Sequence, residues 1–209
     1  MWSHVSRTPK YIYNIALGVS ILLYTNKNIF ITSPITGASM APTLSPHHHT
    51  TGSYDLVFFT RLFPGYSARK GEIVSFWTPH EPEKMSVKRI IAKAGDTVIV
   101  GRDGKRRGGN GVLGGIEGEG AVNYFKRGDR VSVPAGHVWV EGDNTENSVD
   151  SCDYGPISLG LVTGRAKYIV WPTYRIGSIK TGVMSKTKVI PGVSEMPAEY
   201  FDERNQFTR

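Results

Sequence analysis

The chain has almost no cysteine. Cys152 stands alone in 209 residues, which excludes a disulfide framework and any multi-cysteine zinc site. It fits a reducing compartment, or an export route that uses no disulfides. No Asn-x-Ser/Thr acceptor occurs, which argues against the glycosylating secretory route. The net charge is +7, but the basic residues are scattered, with one local cluster at Lys105-Arg106-Arg107. There is no basic stripe interleaved with aromatics, so no nucleic-acid partner is expected. No Gly-x-x-x-x-Gly-Lys-Ser/Thr phosphate loop is present. Long apolar runs are also missing. The strict run at residues 11–24 contains Asn14 and is shorter than the roughly 20 apolar residues of a usual membrane span.

What is present begins at the N-terminus. Residues 1–10 hold His4, Arg7 and Lys10 and no acid. Tyr11 to Tyr24 is mostly apolar with tyrosines at its ends, where aromatic belts sit. Thr25-Asn26-Lys27-Asn28 interrupts it, and Ile29-Phe30-Ile31 resumes. We read 11–31 as a membrane anchor, with residues 1–10 on the inner side by the positive-inside rule. A cleavable leader and a buried core helix are the alternatives, and no small-residue cleavage motif follows Tyr24 directly.

From Tyr54 the pattern turns strand-like. Residues 54–59, 71–77, 87–92, 97–100, 137–140 and 166–170 are short and rich in β-branched and aromatic side chains, with Gly, Pro or Asp between them. No long 3.6-period segment follows the anchor. The expected fold is mainly β, a folded sheet or barrel over 32–178. Within it, 101–120 reads as a flexible Gly-rich hairpin insertion. His47-His48-His49 reads as a solvated loop rather than a metal site. Residues 179–209 read as a loosely attached polar tail.

Ser39 lies between Gly37-Ala38 and Met40-Ala41-Pro42. The glycine lets the backbone pass close to a substrate, and the proline fixes the following turn. Such a serine needs a base to become a nucleophile. A lysine can serve only when neutral, and at its ordinary pKa only about 0.1% is neutral near pH 7.4. Burial can lower that pKa by roughly 3–5 units, so the lysine with apolar company is the candidate. Lys88 sits between Val87 and Ile90-Ile91, and strand alternation places Ser86, Ile90 and Ala92 on its face. Lys84, among Glu81, Pro82 and Glu83, looks solvated. In Gly142-Asp143-Asn144 through Asp150-Ser151, turn formers alternate with short polar side chains. There Ser148 could orient the lysine, and Asp150 could hold the loop or a cation.

Taken together, these blocks resemble the type I signal peptidases, the membrane-bound Ser/Lys proteases. Ser39-Met40-x-Pro42-Thr43-Leu44 is similar to the family's nucleophile box, and Lys70-Gly71-Glu72-Ile73-Val74 to the strand box after it. Val87-Lys88-Arg89-Ile90-Ile91 with Gly95-Asp96 is similar to the lysine box. Gly142-Asp143-Asn144 with Ser148-x-Asp150-Ser151 and Gly155-Pro156 is similar to the last. The resemblance implies Ser39 as nucleophile, Lys88 as general base, Ser148 as support for the lysine and Asp150 as a structural member. It implies no cofactor and no metal. Shallow substrate pockets are expected near Ile35, Met40 and Ile90, which flank these residues.

Two departures from the family pattern stand out. Gly37 replaces a hydroxyl residue common two positions before the nucleophile, so an oxyanion hole must rely on backbone N–H groups. Cys152 stands where many members carry arginine, which removes a fixed positive charge. Lys88 separates the chain from the branch that uses histidine.

Within the family the likeness runs to the mitochondrial inner membrane proteases, and to subunit 2 in particular, through Pro134-x-Gly136-His137-Val138-Trp139-Val140-Glu141-Gly142-Asp143 and residues 155–161. That likeness implies an inner-membrane location with the catalytic domain facing the intermembrane space. It implies precursor proteins with cleavable presequences as substrates, a homologous subunit 1 as partner, and the lipid membrane as support. The alternatives are a bacterial-type signal peptidase and a non-catalytic scaffold subunit.

Overall fold

The computed structural model describes residues 8–104, 125–182 and 185–192. The N-terminal residues 1–7, the Gly-rich stretch from 105 with its Lys105-Arg106-Arg107 cluster, and the tail beyond 192 lie outside the described residues.

Helix α1 (Thr8–Asn28) opens the chain. Its side chains from 10 to 24 are exposed all round, Tyr11, Ile12, Leu22 and Leu23 among them. No helix among the described residues is long and apolar enough to cross a membrane. At 1.5 Å per residue the 21 residues of α1 would reach about 31 Å, so length is not what it lacks. Lys10, Asn14 and Ser20 dilute its apolar character. The apolar resumption at residues 29–31 does not extend this helix. It enters β1 (Phe30–Ile35), which pairs antiparallel with β2 (Asp55–Thr60).

The remaining strands are β3 (Ile73–Thr78), β4 (Glu81–Lys93), β5 (Thr97–Ile99), β6 (Arg130–Ser132), β7 (His137–Glu141), β8 (Ile157–Ser158), β9 (Val162–Trp171), β10 (Gly177–Ser178) and β11 (Lys188–Ile190). Eight form one sheet in the order β1-β2-β9-β3-β4-β7-β8, with β10 paired to β9. The other three form a small sheet, β11-β5-β6. The fold is mainly β, as expected from the period-2 patterning. In β2, for example, Val57 and Phe59 face the core, while Phe58 faces outward against Phe30 and Tyr168.

Three apolar clusters hold the sheets. Ile35, Met40, Leu44, Val57, Phe59 and Ile73 pack together under β1 and β2. Val74, Phe76, Ile90, Val138 and Val140 fill the centre. Ile91, Ala92, Val98, Val133, Trp139 and Cys152 join the two sheets. Strand β4 runs between β3 and β7, so it is no edge strand. Its register against β7 shifts between Ile90 and Ala92. That irregularity breaks the expected alternation: Ile90 enters the central cluster, while Ile91 and Ala92 both enter the third.

The tail is attached further than expected. Residues 188–190 form β11 on β5. Thr187 Oγ donates to Glu141 Oε1 at 2.6 Å, and Ser185 Oγ donates to Glu141 Oε2. The Gly192 N–H donates to Asp96 Oδ1 at 3.0 Å.

Candidate active site

A cleft of about 420 Å³ opens between the β1 turn and the β3–β4 pair. Ile35, Gly37, Ser39 and Met40 line one wall and Ser86 and Lys88 the other, with Asn147 and Val149 at its rim. The turn holding Ser39 is fixed on both sides. Ala38 and Met40 are buried, while Ser39 is half-buried. Further along, the Ser45 N–H donates to Asp55 Oδ2 at 2.8 Å, and Arg175 pairs with Asp55 and donates to the Thr43 carbonyl. Two bonds at Ser45, one to the Ile35 carbonyl and one from the Asp55 N–H, close the loop onto β1 and β2.

Gly37 has φ +120°, a conformation that side-chain-bearing residues rarely adopt, although open space surrounds it. Backbone shape, rather than crowding, therefore demands glycine here. Among the described residues the Ser39 N–H donates to no partner, so it is available to an oxyanion in the cleft.

Lys88 is only 5% exposed and has no ion-pair partner among the described residues. Its pKa is pushed down to about 8, chiefly by burial. The negative charge of Asp150 opposes this, Lys84 adds to the depression, and Asp153 and Asp143 oppose it more weakly. At pH 7.4 a substantial fraction of such a lysine is neutral and able to accept a proton. Lys84 pairs with Glu81 at 3.0 Å with its side chain largely exposed, as the sequence suggested.

Ile35 and Met40 line the cleft from their places in the first core cluster. Ile90 does not. It is fully buried in the central cluster with Val74 and Val140 and is not part of the cleft lining.

Behind the cleft lies the loop after β7. The Asn144 N–H donates to the Ser39 carbonyl at 3.0 Å, which ties this loop to the serine turn. A Cβ on Gly142 would lie 2.5 Å from the Ser39 carbonyl oxygen and would overlap the Ser148 hydroxyl, so only glycine allows this approach. Ser148 and Asp150 are fully buried. The Ser148 hydroxyl donates to Asp150 Oδ2 at 2.6 Å, and no hydrogen bond joins it to Lys88 among the described residues. Asp150 also accepts from the Gly142 N–H at 3.1 Å and caps the one-turn helix at Ser151–Tyr154 through the Cys152 N–H. Asp150 therefore holds the loop, one of the two roles its sequence setting allowed.

The charge missing at Cys152 is present in space. Arg102, just past β5, places Nη2 2.7 Å from Asp150 Oδ1 and 2.8 Å from Asp153 Oδ2. Burial works against its charge, and the bonds to Asp153 and Asp150 more than compensate, holding its pKa above the ordinary value. Sequence reasoning missed Arg102, because it lies 48 positions from Asp150 with no motif linking the two. Cys152 itself is buried beside Glu141, and burial pushes its thiol well above its ordinary pKa. It is not a poised nucleophile.

Fold and cleft together define the class: a mainly β domain with a serine and a buried lysine on the walls of one cleft. The family model described as "Signal peptidase, peptidase S26" matches residues 9–171, and the chain belongs to that family. It is 35% identical to the mitochondrial inner membrane protease subunit 2 of Danio rerio, over 71% of this chain and 68% of that protein. It is 34% identical to the subunit 2 of Saccharomyces cerevisiae, over 77% and 78%. It is 32% identical to the mitochondrial inner membrane protease subunit 1 of Homo sapiens, over 69% and 71%.

Proposed function

We propose that this chain is a membrane-anchored serine endopeptidase working through Ser39 and Lys88, which removes sorting presequences from proteins delivered to the mitochondrial intermembrane space. The observation that carries this reading is the shared cleft, with a half-buried serine and a buried lysine whose pKa lies near 8. Neutral Lys88 takes the Ser39 hydroxyl proton as Oγ attacks the scissile carbonyl. The oxyanion is held by backbone donors, the Ser39 N–H among them. The protonated lysine then gives its proton to the leaving amine, which departs and leaves an ester on Ser39. Lys88, neutral again, deprotonates the water that hydrolyses this ester, and Ser39 is restored.

Helix α1 attaches the domain to the membrane. Apolar side chains exposed on every face of a helix need an apolar surrounding, and lipid supplies one. The names of the relatives supply the compartment, the inner mitochondrial membrane, and the existence of subunits 1 and 2 points to a homologous subunit 1 as partner. The active cleft faces the intermembrane space.

The test is replacement in cells. Cells whose only copy carries Ser39→Ala are expected to accumulate unprocessed intermembrane-space precursors, with the variant at its normal level by blot. Normal processing would overturn the catalytic reading and leave a scaffold role.

A further inference from the structure

We propose that Arg102 is a positioning residue for the Ser39/Lys88 pair: it neutralises the buried carboxylates of Asp150 and Asp153, so that their charge does not hold Lys88 as an ammonium. The proposal rests on the reading of Lys88 as the base.

The geometry is direct. Asp150 is fully buried and Asp153 nearly so, and both meet the guanidinium of Arg102. Arg102 Nη1 also donates to Asp153 Oδ1 at 3.3 Å, so Asp153 is held by both arms of the fork. Among the described residues Lys88 makes no ion pair of its own, and Asp150 is the largest charge acting to keep it protonated. Two buried negative charges without a partner attract the next available cation. Arg102 provides that cation from outside the cleft.

The other charged and titratable groups around the lysine are accounted for. Lys84, on the same strand, pairs with Glu81, and Asp143, after β7, pairs with Arg89. Tyr154 and Cys152 lie beside Asp150 and Asp153, and Glu141 contacts Cys152. Arg102 stays charged at any working pH, so it acts as a fixed counter-charge rather than a switch.

The test follows acylation of Ser39 in the full-length protein as a function of pH. The probe is the p-nitrophenyl ester of a short peptide ending in alanine, and the adduct is counted by mass spectrometry. In the native protein the rate is expected to rise with a midpoint near pH 8. Arg102→Gln is expected to move that midpoint up by about one pH unit, with roughly tenfold slower acylation at pH 7 and an unchanged alkaline plateau. Arg102→Lys keeps the charge and is expected to restore the midpoint. An equal loss at every pH, or no loss, overturns the proposal.

If Arg102→Gln does not fold, the comparison moves to Asp153→Asn, which carries one buried charge fewer. Adding Arg102→Gln to it must raise the midpoint above that of Asp153→Asn alone, and equal midpoints overturn the proposal. Failure of the underlying reading is distinguishable. Acylation that persists in Ser39→Ala, or that shows no rise near pH 8 in the native protein, overturns the catalytic pair and Arg102's part in it.

Discussion

Lys88→Met is expected to lose cleavage and to gain stability. A positioned general base contributes about 10²–10⁴-fold, and methionine cannot take the Ser39 proton, so turnover should fall by about that factor. The stability gain has the opposite sign because of what burial does to the lysine. In the unfolded chain its pKa is 10.5, and in the fold it is about 8. Below pH 8 both states hold the proton, and the folded state carries the full cost of a buried ammonium. Between 8 and 10.5 the unfolded chain binds a proton that the folded protein does not, so stability rises with pH across that window. The cost at pH 7 corresponds to about 3 kcal/mol. Methionine has similar length and no charge, so Lys88→Met should raise the melting temperature by roughly 6–12 °C at pH 7. Above pH 10.5 the gain should vanish. Thermal melts at the two pH values check this, and a variant less stable at pH 7 would mean that Lys88 is satisfied in its charged form. Such a trade of stability for reactivity is expected where a site needs a strained charge state.

Asp143→Ala is expected to be the most destabilising single change away from the apolar clusters. Asp143 takes a two-pronged bond from Arg89, with Nε to Oδ1 at 2.8 Å and Nη2 to Oδ2 at 2.6 Å. Both side chains are 2% exposed. Arg89 also donates to the carbonyls of Gly71 and Lys180, so it joins β4, the loop after β7 and the C-terminal segment. Removing the carboxylate leaves a buried guanidinium without its counter-charge, which costs about 3–5 kcal/mol. Arg89→Met combined with Asp143→Leu removes both charges and should recover more than half of that loss. Urea unfolding of the three proteins decides. A loss under about 1 kcal/mol for Asp143→Ala would mean that the pair is solvated. The pair begins one residue from Lys88 and supports the loop that holds Ser39, so folding and cleft geometry share this contact.

The strands around the cleft were legible because half-buried strands write their burial into alternating side chains. Val57 and Phe59 in β2 follow that rule, while the apolar company of Lys88 left a surface lysine on an edge strand open until β4 is seen between β3 and β7. Other features depend on partners that no local pattern contains. Phe30 and Ile31 continue an apolar helix in sequence, and only the antiparallel partner at residues 55–60 makes them a strand. Residues 188–190 are too few to declare a strand, and they become one on the open edge of β5. Ile90 flanks Lys88 in sequence and is expected near the cleft, yet it packs against Val74 and Val140 from the neighbouring strands instead. Arg102 was invisible for the same reason. Its role depends on two carboxylates brought to it by the fold, and the empty position at Cys152 showed only that a charge had gone.

The central claim is that Ser39 becomes a nucleophile because Lys88 is neutral. The most direct measurement is the site and pH dependence of acylation by the peptide p-nitrophenyl ester, read by mass spectrometry in the native protein, Ser39→Ala and Lys88→Met. The expected result is one adduct, on Ser39, forming faster as pH rises through about 8. It should be absent in Ser39→Ala and at least about a hundredfold slower in Lys88→Met. An adduct on another residue, or equal rates with and without Lys88, would contradict the account.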